Sequence, residues 1–203
     1  MTRFSAMLDA CVLVPVTLAD TLLRLAENGL YRPLWSARII DETVQAIEEV
    51  HPQLSADAIR RRATAMDTAF GDASVTGWEA LEDAISLPDA DDCHVVAAAV
   101  MGRADVIVTK NVKDYPPNVL EPYHIEVQDP DVFLLHQLDL APSTVMSALW
   151  RQARSSHRPQ VTLEALLDRL AVCGAQNFAH TAKAQIWRLT AEGWSAYLEH
   201  GNT

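Results

Sequence analysis

The chain has 203 residues, of which 49% are hydrophobic, and its formal net charge is −11. That length and apolar content suit one large domain, or one domain with an appendage, and they exclude a disordered chain. The acidity argues against a broad surface for gripping polyanions, because phosphate contacts need Lys and Arg.

The opening residues, MTRFSAMLDA, lack an apolar stretch of signal-peptide length, and nothing in the chain resembles a membrane span. A cytoplasmic protein with no membrane partner is expected. Phe4–Leu8 reads as a short buried strand ending at Asp9, and Thr17–Glu27 as a helix with Leu18, Leu22 and Leu25 on one face, stopped by Asn28-Gly29. Leu34–Trp35 predicts a brief strand feeding a helix over Ala37–Val50, where Ile40, Val44 and Ile47 form a core stripe. His51-Pro52 ends that helix, and Ser55 caps the next one, which runs to about Phe70. Val75–Trp78 predicts another strand. Asp89–Gly102 predicts a helix with acids in its first turn, an apolar VVAAAV body and Gly102 as its stop. Ala104–Thr109 then reads as a buried strand, followed by a polar loop and Pro116-Pro117. This alternation predicts a parallel sheet with helices on both faces, and ligands in such sheets bind beyond the carboxyl ends of the strands.

Acidic or amide residues recur beside these apolar runs: Asp9, Glu42, the group Asp89, Asp91 and Asp92, and the pair Asn111 and Asp114. Carboxylates beside core segments need their charge offset, and a divalent cation offsets several at once. Each also has an ordinary reading when taken singly. Asp89 and Asp92 suit a cap and a first-turn charge, Asp9 a strand-end turn, Glu42 a solvated helix face, and Asn111 with Asp114 a loop turn. Four such coincidences in one topological arrangement favour a shared site.

The strings MLDACVLVP, the Glu42 helix, DADDCHVVAAA and ADVIVTKNVKDYP, in this order and spacing, resemble the PIN domain, and specifically the VapC-type toxin ribonucleases. The resemblance covers about residues 4–137. It implies a three-layer α/β/α sandwich around a parallel sheet and Mg²⁺- or Mn²⁺-dependent cleavage of RNA. It also implies a homodimer and a VapB-type antitoxin partner. Residue by residue it places Asp9 at the first-strand acid, Glu42 at the helix acid and Asp92 at the acid opening the AAA helix. Asn111 stands where many members carry a fourth Asp. An amide oxygen brings no charge, so Asp114, three residues on, is the candidate to complete the set, with Asp89 as a possible additional acid. Asp9 and Asp92 are the implied metal ligands, while Glu42 orients water.

Other residues read plainly. Cys11, Cys93 and Cys173 are odd in number and far apart, which suits small buried hydrophobes and neither a disulfide framework nor a zinc site. His94 reads as a partly buried or surface histidine, Arg60-Arg61-Arg62 as a solvated helix face, and Trp35 and Trp78 as core. A phosphatase with Asp9 as nucleophile would want a second Asp where Cys11 stands. A PIN-like RNA- or protein-binding module of weakened activity is the more serious alternative, because Asn111 thins the acidic set.

The domain is expected to span 1–140, with a helical extension over 141–203. Residues 1–140 carry 10 basic and 23 acidic side chains, net −13, whereas 141–203 carry 6 and 4, net +2. Ser143–Ser155, Thr162–Cys173 and about Ala175–Glu199 read as helices, the first two separated by the SSHRPQ breaker. The stripe Leu163, Leu166, Leu167 and Leu170 must be buried against something.

Overall fold

The structure is a computed structural model and describes residues 4–155 and 161–191. It packs as two compact units: residues 1–19 with 31–130, and residues 20–30 with 131–203. The helix over Pro130–Leu140, inside the span read as the first domain, packs with the second unit.

In the first unit, β1 (Ser5–Leu8) leads through the short α1 (Ala10–Leu13) into α2 (Val16–Glu27), whose later residues belong to the second unit. Gly29, at φ 79°, turns the chain after α2. The unit continues with β2 (Arg32–Ser36), α3 (Ala37–Val50), α4 (Ala56–Ala69), β3 (Ser74–Val75) and α5 (Glu79–Glu82). A 3₁₀ turn over Ala90–Asp92 opens α6 (Cys93–Gly102), and β4 (Val106–Val108), a second 3₁₀ turn (Val112–Asp114), α7 (Pro117–Leu120) and β5 (Glu126–Gln128) complete it.

The five strands are all parallel, in the order β3-β2-β1-β4-β5. With right-handed crossovers, the connections running outward through β2 to β3 and the one returning from β3 to β4 lie on opposite faces of the sheet, giving three layers. The order reverses between β1 and β4, and that switch point is where an open α/β sheet forms its ligand crevice. Leu8 pairs with Val108 in register, so Asp9 and Thr109 emerge side by side there.

Local chemistry explains the elements. The Ser36 and Ser55 hydroxyls accept hydrogen bonds from the Ile39 and Ala58 amides at 3.2 Å each, capping α3 and α4. Pro33 sits inside β2 because its missing N–H falls on the side where β3 begins to pair only at Trp35, whose amide donates to Ala73 O. The strand expected over Val75–Trp78 ends at Val75, since Gly77 at φ 76° turns the chain into α5.

Gly102 has a different task from the expected helix stop. The left-handed residue after α6 is Arg103, at φ 54°. Gly102 is the last helical residue, and a Cβ there would meet Val75 Cγ2 at 2.8 Å and Leu34 Cδ1 at 3.1 Å. The glycine therefore lets α6 lie close against β2 and β3. Residues Cys93–Ala99 of α6 are all buried, because this helix packs on four strands and on α5.

The second unit contains α8 (Pro130–Leu140), α9 (Pro142–Ser155), α10 (Leu163–Val172), α11 (Gln176–Lys183) and α12 (Arg188–Ala191). The predicted stripe Leu163, Leu166, Leu167 and Leu170 is buried, and α10 packs on α9 and α11. Buried Asp131 on α8 caps α11 from a distance: its oxygens accept from the Asn177 and Phe178 amides at 3.2 and 2.7 Å and from Asn177 Nδ2 at 2.7 Å. The third predicted helix breaks after Lys183 and resumes at Arg188; its expected continuation past residue 191, with Gly193, lies outside the described residues, as does most of the SSHRPQ segment. Among the described residues no single helix is long and apolar enough to cross a membrane.

Candidate active site

Asp9 is fixed by the sheet and by its neighbours. Its amide donates to Val108 O at 3.2 Å, extending the β1–β4 ladder by one residue. The side chain is 5% exposed, and its Oδ2 accepts from Thr109 Oγ1 at 2.6 Å and from Cys11 Sγ at 3.0 Å. The Thr109 hydroxyl in turn accepts from the Asn111 amide at 3.1 Å, and Cys11 Sγ accepts from the Lys110 amide at 3.2 Å. A buried carboxylate is tolerable only with such donors. Burial first, and the adjacent Asp9 charge second, push the Cys11 thiol up to about 12, which keeps its proton as the donor to Asp9. Cys11 is thus not the inert small hydrophobe expected, and Cys173 is half-exposed at the end of α10; Cys93 is buried as expected.

Asp92 and Asp89 belong to the 3₁₀ turn before α6. Asp89 caps it, accepting from the Asp91 amide at 3.0 Å. Burial and the negative charges of Asp9, Asp89 and Asp114 raise the Asp92 carboxyl from 3.8 to about 6, against a lowering by His94. Three carboxylates from three loops therefore act on Asp92. Asp114 is one of them, carried by the 3₁₀ turn after β4, whereas Asn111 serves that turn through its backbone and makes no side-chain cap.

Glu42 projects from α3 into a separate polar cluster. Its Oε1 lies 3.1 Å from Arg38 Nε and 3.0 Å from His94 Nε2, and Arg38 also donates to Glu82 Oε1 at 2.8 Å. Burial pushes the Glu42 carboxyl up, but the His94 hydrogen bond and the Arg38 charge outweigh it and hold the group below its ordinary value. His94 is 1% exposed, packed against the Trp78 ring at 5.8 Å, because α6 has no solvent face at that position. It is neither partly exposed nor idle, as its sequence position had suggested.

Two polar atoms near these acids are buried without a hydrogen-bond partner: His94 Nδ1 and the Tyr115 hydroxyl. Among the described residues no three His, Cys, Asp or Glu side chains converge closely enough to hold a metal ion as they stand. The donor set nevertheless has the chemistry of a hard cation site: carboxylates crowded enough to raise one another's pKa, as a divalent ion would relieve.

The remaining candidates fall elsewhere. Arg62 donates to Leu13 O at 2.7 Å, while Arg60 and Arg61 lie exposed along α4. Trp35 and Trp78 are core, and Trp35 Nε1 donates to Asp67 at 2.7 Å. Sequence reasoning missed the roles of Thr109, Cys11, His94 and Arg38. Only the Arg38–Glu42 spacing, four residues along one helix, carried a readable signal.

Comparison with known proteins agrees with this geometry. The family described as "PIN domain" matches residues 5–113, and that described as "VapC50 C-terminal domain" matches residues 130–184. A protein of Mycobacterium tuberculosis (strain ATCC 25618 / H37Rv) named "Putative ribonuclease VapC50" is 43% identical over 94 residues, covering 46% of this chain and 54% of that protein. The aligned stretch thus spans about half the length of this curated relative. No solved structure matches the chain. With the five-stranded parallel sheet, the acids at its switch point and a match across residues 5–113, the chain belongs to the PIN-domain family.

Proposed function

We propose that the protein is a metal-dependent endoribonuclease that hydrolyses RNA phosphodiester bonds as the toxin of a type II toxin–antitoxin pair. The observation that carries this reading is the shared field of Asp9, Asp89, Asp92 and Asp114 at the switch point, which raises Asp92 to about 6. The similarity to a protein named as a ribonuclease supports the choice of RNA as substrate.

In this reading Asp9 and Asp92 hold Mg²⁺ or Mn²⁺, and Asp114 and Asn111 complete the shell with Asp89 nearby. The bound cation supplies Lewis acidity and a water of lowered pKa. The chain's own residues do the positioning. Thr109 and Cys11 fix the Asp9 carboxylate, which leaves it ionised and oriented toward the crevice. Glu42, kept ionised by His94 and Arg38, is assigned to orient the attacking water. A VapB-type antitoxin, a homodimer and a cytoplasmic setting without membrane attachment complete the proposal.

One observation favours a second reading, that of a PIN-like RNA- or protein-binding module. Glu42 is already engaged by Arg38 and His94, and Asn111 brings no charge.

Cleavage of an RNA pool by purified protein with Mg²⁺ or Mn²⁺ separates the two. Cutting by wild type that EDTA, Asp9→Asn and Asp92→Asn each abolish is the expected result. Cutting that survives both folded variants would remove these acids from the reaction, and RNA retention without cutting would favour the binding module.

A further inference from the structure

The Tyr115 phenol has no place in the machinery described above, although it lies among the same acids. Tyr115 follows Asp114 directly, at the end of the 3₁₀ turn Val112–Asp114, and is 2% exposed. Its ring lines an apolar groove with Val112, Leu120 and Ile125, so the ring is anchored by packing. Its hydroxyl is buried and makes no hydrogen bond, a condition that folded proteins rarely leave uncorrected. Besides burial, the groups that act on this phenol are Asp9, Asp92, Cys11 and Glu42, in that order, which directs the oxygen toward the acidic crevice.

A phosphate entering among carboxylates needs donors that carry no acceptor charge of their own. The Arg38 guanidinium is already held by Glu42 and Glu82. A phenol ionises only near pH 10 in water, and both its burial and the surrounding carboxylates push that value up, so the O–H stays a donor. A donor held by packing, aimed at the site and unpaired within the protein is matched to an acceptor that arrives with the ligand.

We propose that Tyr115 is a phosphate-binding residue of this site, its O–H donating a hydrogen bond to a non-bridging oxygen of the RNA phosphate. The inference rests on the nuclease reading for the identity of its ligand, but it can be tested without cleavage. Inorganic phosphate is titrated, with Mg²⁺ present, into wild-type and Tyr115→Phe proteins, following heat and the near-ultraviolet difference spectrum of the buried tyrosine. Phosphate is expected to bind the variant at least fivefold more weakly, and the tyrosine difference signal to vanish. The hydroxyl has no partner to lose, so the variant's urea midpoint should stay at or above that of wild type, which separates ligand binding from a structural role. In RNA cleavage, kcat should fall tenfold or more while KM changes less than threefold. Equal phosphate affinity in the two proteins, or no binding to either, overturns the inference. Wild-type protein that binds phosphate through Tyr115 but cuts no RNA sinks the nuclease reading alone. Equal cutting rates in wild type and variant sink this inference alone.

Discussion

Replacing Asp92 by Asn should stabilise the protein when metal is chelated. The folded carboxyl titrates near 6 instead of 3.8, because it is partly buried and faces Asp9, Asp89 and Asp114. At about 1.4 kcal/mol per pH unit the displacement sets a ceiling of about 3 kcal/mol on the penalty of ionising it. Asp92 is only half-buried, so solvent screening reduces that to about 1.5 kcal/mol. Asn loses no cap hydrogen bond here, since the Asp92 side chain makes none, but forfeits about 0.5 kcal/mol of charge interaction with the start of α6. A net gain of about 1 kcal/mol remains, which raises the melting temperature by about 2–4 °C in a chain of this size. The unfolded carboxyl titrates near 3.8, so between 3.8 and 6 the folded state holds more protons. The penalty is therefore full above pH 6 and fades as the pH falls through 6 toward 3.8, and the advantage of the variant should fade with it. Adding Mg²⁺ should reverse the order, stabilising wild type more than Asp92→Asn, because a ligand of the folded state stabilises in proportion to its occupancy. Thermal melts in EDTA between pH 4.5 and 8, repeated with Mg²⁺, provide the assay. A variant less stable than wild type at pH 8 in EDTA, or an advantage independent of pH, would refute the crowding of charge at this site.

Three further substitutions follow from packing and hydrogen bonding. Thr109→Val keeps the shape but removes the 2.6 Å bond to buried Asp9 and the acceptor of the Asn111 amide; a loss of about 2–3 kcal/mol in urea unfolding is expected, together with weaker Mg²⁺ binding by calorimetry. Gly102→Ala drives a methyl into Val75 and should destabilise by about 1–3 kcal/mol, whereas Gly102 acting only as a helix stop would make alanine neutral or stabilising in the same melt. Asp131→Ala leaves three donors at the start of α11 without their acceptor, and should cost about 2–3 kcal/mol in the unfolding of the second unit, read by hydrogen exchange of the Phe178 amide.

What was legible in the sequence follows from which forces are local. The helix over Ala37–Val50 was readable to the residue because Ser36 caps it and its apolar stripe repeats at helical spacing. The fourth strand and the acids beside it were readable because a buried strand in a parallel sheet is a plain apolar run. Three-residue β5 was not, since its pairing to β4 is what makes it a strand. The role of Gly102 was hidden for a similar reason: a close approach to Val75, 27 positions earlier, leaves no local trace. Among the site residues, the acids stood out by their charge, while Thr109 and His94 did not, because their importance lies in contacts with residues far away in sequence. Position 94 was misjudged because the helix wheel assumes one solvent face, and α6 has none there.

The attachment of the three acids is unequal. Asp9 is bonded into the β1–β4 ladder through its amide and to Thr109 through its carboxylate, and the Thr109 amide is itself bonded to Gln128 O at 3.0 Å. Freeing Asp9 thus requires the middle of the sheet to part, an event close to global unfolding. Asp92 and Asp114 each ride on a single 3₁₀ turn, closed by the bonds Asp92 N to Asp89 O and Asp114 N to Asn111 O. Such turns open locally at small cost, so the crevice has one immovable wall and two that adjust. Among the described residues no three metal-binding side chains converge on one point, and this division of stiffness leaves the turns, not the sheet, to close around whatever enters.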